Sequence, residues 1–253
     1  MRSPFIAGNW KMNLGRGPAR ELASALASAL SGVSDRDIAV FPTFVSLGEV
    51  ADILADGPVR VGAQNAWPEP DGAFTGELSA EILSSAGAGL LLVGHSERRH
   101  VLGEDDALVN RKLRRGLEVG LDVILCVGET IEEREADRTM DVVGRQVRAG
   151  LEGVDAAGLA RITVANEPVW AIGTGKTATP EMAQDVHAAI RGILAEVGGA
   201  DFAAATRIQY GGSGKPGNVD DLMAMPDVDG ALVGGARLEA GSFERIVKFE
   251  ARA

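Results

Sequence analysis

Eight short apolar runs recur along this chain, at 3–9, 37–43, 59–65, 89–95, 121–128, 161–167, 206–212 and 229–235. Each is rich in Val, Ile, Leu or Ala and is closed by Gly, Asn or Pro. Continuous apolar runs of this length suit strands buried on both faces, as in a parallel sheet. Between them lie stretches with helical spacing. Leu22, Leu26 and Leu30 form one stripe, Val109, Leu113 and Leu117 another, and Val143, Val147 and Leu151 a third. Met182, Val186, Ile190 and Leu194 make the longest. Such stripes are core-facing sides of amphipathic helices. Thr179-Pro180-Glu181 has the form of a helix start: a capping hydroxyl, a proline at the first position and an early acid.

Strand followed by helix, eight times in 253 residues, is the count of a (β/α)8 barrel. The expected fold is therefore α/β, a single barrel of eight parallel strands with 1–253 as one domain. A doubly wound open sheet is the competing arrangement, and no composition break marks a second domain. One connection stands apart. NAWPEPDGAFTGE, at 65–77, is a long stretch without helical or strand pattern, carrying Trp67 and Phe74 among polar residues. Loops of that length inside a compact domain usually have a task, and an interface and a mobile surface loop both fit this one.

Several function classes can be set aside. The formal net charge is −11 and no basic stripe is visible, so a nucleic-acid partner is not expected. No apolar run is long enough to cross a membrane, and the start MRSPFIAGNWKMN reaches polar residues too soon for a signal peptide. A cytoplasmic protein is the expectation. The one cysteine, Cys126, and three histidines show no metal-site spacing, so no metal is expected. An acidic chain that binds an anion must build local positive potential from backbone N–H groups, helix starts and a well-placed lysine.

In a barrel the active site lies at the C-terminal strand ends. There the runs deliver Asn9 and Lys11, then His95, Ser96 and Glu97, then Glu167. Gly211, Gly212 and Ser213 follow the seventh run, and Gly234 and Gly235 the eighth. Glu167 closes a buried run and fits a general base or a structural partner of an arginine. His95 fits a donor to a developing oxyanion or a structural histidine. Lys11 fits a group that neutralises an anionic intermediate or a solvated surface lysine. Two glycine pairs after the last two runs leave backbone N–H groups open to an anion, where barrels commonly hold phosphate. The stretch ANEPVWAIGTGKTA raises a nucleotide loop as an alternative. The required Gly five places before Gly175 is Trp170, so that motif fails. PVWAIGTGKT reads better as a lid with an apolar middle and small residues at its far end.

NWKMN, GHSERR, NEPVWAIGTGK, YGGS and LVGGA occur in order, with GAQN, GAFTGE and CVGE between them. Over essentially its whole length the chain resembles the triosephosphate isomerase family. The resemblance implies interconversion of D-glyceraldehyde 3-phosphate and dihydroxyacetone phosphate through an enediolate, with no cofactor. It implies Glu167 as general base, His95 as neutral electrophile, and Lys11 and Asn9 as stabilisers of the oxyanion. Backbone N–H groups of Gly173, Ser213, Gly234 and Gly235 would hold the phosphate, and 168–178 would be the closing lid. Ser96 and Glu97 would support the site. It further implies a homodimer through the loop 65–79, with Thr75 bracing the partner's site and Glu77 and Arg98 pairing across the interface. Three positions depart from the family pattern: Asn166 where a larger residue is frequent, Gly214 where valine is common, and Arg237 where serine is frequent. A rival reading makes Glu97 and Glu167 the paired carboxylates of a barrel glycoside hydrolase. That reading leaves Lys11 and the glycine pairs unexplained, and three Trp and one Tyr are few for a sugar groove. A barrel without chemistry would not need Asn9, Lys11, His95 and Glu167 together.

Overall fold

A computed structural model describes residues 2–171 and 178–250. Eight strands form a closed barrel in sequence order. They are β1 (Phe5–Asn9), β2 (Asp37–Phe41), β3 (Val59–Ala63), β4 (Leu90–Val93), β5 (Asp122–Val127), β6 (Ile162–Asn166), β7 (Arg207–Tyr210) and β8 (Gly230–Val233). Every neighbouring pair is parallel, and β1 pairs with β8 to close the ring. Each strand lies inside one of the apolar runs, and every strand but β1, which runs to Asn9, stops short of its polar end. β4 ends at Val93, Gly94 turns the chain at φ +70°, and His95 becomes the residue that caps the next helix.

Period-two alternation builds two cores from the same strands. Phe5, Ala7, Ala39, Phe41, Leu92 and Cys126 fill the barrel interior. Their neighbours Ile6, Ile38, Val40, Leu91 and Val123 face out and pack under the helices. The four expected stripes fall on the helices Arg16–Leu30, Asp106–Val119, Thr139–Leu151 and Pro180–Gly198. Thr179 caps the last of these, its hydroxyl accepting from the Met182 N–H at 3.2 Å, with proline at the helix start.

The long connection after β3 is a closed loop rather than a strand or helix. Its ends meet where Trp67 N–H donates to Leu78 O at 2.8 Å, beside a single bridge from Trp67 to Ser79. Inside it the Trp67 and Phe74 rings lie 5.5 Å apart. Lys112, 1% exposed, anchors its base by donating to Asn65 Oδ1 at 2.7 Å and pairing with buried Glu104. Burial pulls the Lys112 pKa down, and the Glu104 carboxylate only partly restores it. Thr75, at the tip, is exposed.

At the opposite end of the barrel, Arg191 bridges Asp227 and Asp229, and Arg2 joins Asp229. His187 lies fully buried beside them, its Nδ1 3.1 Å from Asp227 O. A carbonyl only accepts, so Nδ1 carries the proton, and among the described residues buried Nε2 has no partner. Protonating Nε2 would bury an N–H that no described group accepts. Burial lowers the His187 pKa to about 4, outweighing the Asp227 carbonyl and the Asp229 charge. Between that value and about 6.5 the unfolded chain binds a proton that the folded chain refuses, so stability falls as pH drops. The full effect is about 3 kcal/mol by the usual conversion. Thermal melts from pH 7 to pH 4 should show this decline, and His187→Gln should flatten it; an unchanged slope in that variant would assign the decline elsewhere.

Candidate active site

Five strand ends converge on one cavity of about 150 Å³. β1 brings Asn9 and Lys11, β4 brings His95, and β6 brings Glu167. The turns after β7 and β8 add Ser213 and the pairs Gly211–Gly212 and Gly234–Gly235, with Arg237 beside them. No aromatic side chain lines the cavity among the described residues.

Glu167 follows β6 directly and is 2% exposed. Its N–H donates to Val127 O at 2.7 Å, which continues the β5 ladder one step past the strand. Two glycines make its position possible. A Cβ at Gly128 would stand 1.8 Å from Glu167 O, and one at Gly211 would stand 2.6 Å from its Cγ. The carboxylate is then held from the β4 side. Oε2 accepts from Ser96 N–H at 2.9 Å, and Oε1 lies 3.1 Å from His95 Nε2.

His95 caps the short helix Ser96–His100, its Nδ1 accepting from Glu97 N–H at 3.2 Å. An imidazole nitrogen that accepts carries no proton, so the ring's N–H is on Nε2. Glu97 Oε2 also lies 3.6 Å from Nδ1, too far for a hydrogen bond, so the backbone contact sets the tautomer. Nε2–H thus points to where Glu167 and a ligand oxygen can compete for it.

Lys11 has a left-handed backbone, φ +51°, which costs a non-glycine residue about 1 kcal/mol or more. Two side chains hold it there, one of them tied also to β2. Asn9 Oδ1 accepts the Lys11 N–H at 2.9 Å, and Gln64 Nε2 donates to Lys11 O and Phe41 O, both at 2.8 Å. Its ammonium meets Glu97 Oε1 at 2.7 Å. Burial would raise the Glu97 carboxyl, but the Lys11 hydrogen bond and the neighbouring Lys11 and Arg237 charges outweigh it and hold it below the usual range. Glu97 is therefore an ionised partner of Lys11. Ser96 contributes its backbone N–H, and Thr75 lies outside the cavity.

The glycines after β8 differ from those around Glu167. Among the described residues a Cβ at Gly234 or Gly235 would meet nothing within 4 Å, so packing there does not demand a glycine. Ser213 hydroxyl donates to Ala171 O at 2.6 Å, tying the β7 turn to the residues after β6. Trp170 Nε1 donates to buried Glu129 at 2.9 Å, and Arg134 stacks over the Trp170 ring at 4.8 Å. Gly173 and most of the expected lid lie outside the described residues. Sequence reasoning gave no role to Gln64, Glu129 or Arg134. Gln64 sits in the motif GAQN, but its two carbonyl partners are distant in sequence. Cys126 is fully buried in the barrel wall, and burial, then the Glu167 charge, pushes its thiol well up. It is an unreactive packing residue.

Comparison with known proteins gives one answer. The model of the triosephosphate isomerase family matches residues 4–250. The triosephosphate isomerase of Syntrophotalea carbinolica is 56% identical over 251 residues, covering 99% of this chain and 100% of that protein. That of Chloroflexus aurantiacus is 53% identical over 250 residues, covering 99% and 100%. That of a Roseiflexus species is 52% identical over 249 residues, covering 98% of each.

The wedge around Glu167 generates a test. Gly211→Ala places a methyl against the Glu167 side chain, so the chain should fold while turnover falls on the order of 100-fold, the usual penalty for a displacement near 1 Å. Circular dichroism and steady-state kinetics read the two quantities separately; undiminished turnover would show that the Glu167 position is not critical.

Proposed function

The chain belongs to the triosephosphate isomerase family, and we propose that its described cavity interconverts D-glyceraldehyde 3-phosphate and dihydroxyacetone phosphate by proton transfer through an enediolate. The observation that carries the assignment of roles is the meeting of Glu167, His95 and Lys11 at one cavity, with the β8 glycines open beside them. Glu167 takes a proton from the carbon next to the carbonyl and returns it to the adjacent carbon. His95, neutral, donates Nε2–H to the carbonyl oxygen as charge develops there and takes up the proton of the neighbouring hydroxyl, so that one proton passes from one oxygen to the other while the ring returns to its starting state. Lys11 and Asn9 stabilise that oxyanion. A preorganised donor aimed at developing charge is worth more in a buried site than in water. In this structure the Glu167 carboxylate accepts from Ser96 N–H and lies 3.1 Å from His95 Nε2. Proton abstraction requires it to leave the ring, which frees the imidazole donor for the substrate.

The phosphate is assigned to Ser213, Gly234 and Gly235, with Gly173 from the lid 168–178. The Trp170–Glu129 and Ser213–Ala171 bonds support a lid whose base is fixed to β5 and β7. Closure excludes water and shields the enediolate from losing its phosphate. Glycolysis and gluconeogenesis both use this interconversion, and the cytoplasm is the place proposed for it. No described helix is long and apolar enough to cross a membrane. The hydrolase alternative gains nothing from the site, because Glu97 is engaged by Lys11.

The loop 65–79 is assigned to a homodimer. Met12 is 93% exposed, Val45 67%, Phe74 39% and Val101 76%. They follow β1, β2, β3 and β4, which are neighbours in the barrel. Exposed large apolar side chains gathered on one side mark an interaction surface.

Purified protein should interconvert the two triose phosphates with chelator present and no nucleotide. Glu167→Gln should lower kcat by at least about 100-fold and leave binding of inorganic phosphate largely intact; full activity would remove Glu167 from the base role. Deleting the loop around Thr75 should give a poorly active monomer, and a deletion variant still dimeric by light scattering would sink the interface assignment.

A further inference from the structure

Arg237 follows β8 in the turn Gly235–Leu238 and is 7% exposed. Its stem crosses β1: a Cβ at Gly8 would stand 3.2 Å from Arg237 Cβ. Arg237 lines the cavity that holds Asn9, Lys11, Gly234 and Gly235. Among the described residues, one of its several N–H donors is used, Nη2 to Trp10 O at 3.1 Å, and buried Nε has no partner. Among the described residues no carboxylate forms an ion pair with it, although the Glu97 charge is felt there.

A buried charge is normally paired, because removing it from water is costly. This cation is an exception within a chain of net charge −11, where a carboxylate partner would be easy to supply. Lys11 is already matched by Glu97. Lys11, Arg237, Glu97 and ionised Glu167 together sum to no net charge, and without Arg237 the sum would be negative. A site that must accept a phosphate dianion, then an enediolate, needs that added positive charge. Burial lowers the affinity of Arg237 for its proton without coming near to neutralising it.

We propose that Arg237 is a further substrate-binding residue, its guanidinium completing its ion pair with the phosphate of the triose phosphate held at the β8 glycines. The proposal rests on the isomerase reading of the same cavity. The Trp10 carbonyl fixes the fork beside the strained Lys11 segment, so the two cations approach one ligand from adjacent positions. A guanidinium presents paired donors to phosphate oxygens, which an ammonium cannot do.

Calorimetric titration of inorganic phosphate into the full chain tests this directly. Arg237→Gln should weaken phosphate binding about tenfold or more, and Arg237→Lys should recover part of the loss. With triose phosphate, KM should rise by more than kcat falls. An unchanged phosphate affinity in Arg237→Gln, with only kcat reduced, would overturn the proposal and leave Arg237 as a strut for Trp10. Equal weakening in both variants, matched by equal loss of melting temperature, would also overturn it as a packing effect. Should Arg237→Gln fail to fold, Arg237→Lys carries the test, and wild-type affinity there with no change in KM would overturn the role of the fork. Absence of turnover in the unmodified protein would sink the isomerase reading, while the phosphate titrations would still decide for or against Arg237.

Discussion

Every strand of a closed parallel barrel points the same way, so all eight C-terminal ends open on one rim. That constraint brings Asn9, His95 and Glu167 together although long segments of chain separate them. It also limits how each can be held. A residue just past a strand has neighbours on both sides within one ladder spacing, and its side chain must fit between them. Glu167 fits because Gly128 and Gly211, one from each adjacent strand end, have no side chain. Its carboxylate is then free to lie toward β4, where Ser96 N–H and His95 await it. The barrel therefore sets the direction, and the two glycines set the place.

The fold was legible because its signals are local. A run such as Leu90–Val93 is apolar throughout since both faces are buried, and the stripe of Leu22, Leu26 and Leu30 marks a helix without any knowledge of what it covers. The proposed site residues were legible in part for the same reason: His95 and Glu167 end apolar runs. What holds them was not. Nothing in GAQN says that Gln64 will bind the carbonyls of Lys11 and Phe41. Nothing in GHSE says that Glu97 N–H will fix the His95 tautomer, or that Glu97 will reach across to Lys11. These are contacts between strand ends, and their partners are set by barrel closure. Arg237 stood out in sequence only as a departure from a common serine. Its meaning depends on burial and on an absent partner, which are properties of the folded chain.

Charge makes the same point from another side. The chain carries a large excess of acid, and the proposed substrate is an anion. Surface charge at a distance is screened by salt over about 10 Å, so the overall excess matters less than the groups lining the cavity. There the ionised pair Lys11–Glu97 is balanced, and Glu167 is negative by its proposed role. Glycine N–H groups would supply partial positive charge at the proposed phosphate end, and Arg237 a whole one.

The pairing of Lys11 with Glu97 then acquires a function beyond neutrality. A lone lysine at this rim would swing on a flexible stem, and ordering it would cost entropy each time a ligand bound. Glu97 and the Asn9–Gln64 brace meet that cost during folding, at the expense of one strained residue at position 11. Arg237, fixed by the Trp10 carbonyl, is ordered in the same way. Both cations are thus placed before a ligand arrives, which is the condition under which electrostatic stabilisation of a transition state is largest. The strain at Lys11 and the guanidinium of Arg237, without an ion pair among the described residues, are two forms of one trade, in which stability of the folded chain is given up so that the two cations need little reordering when the proposed anion binds.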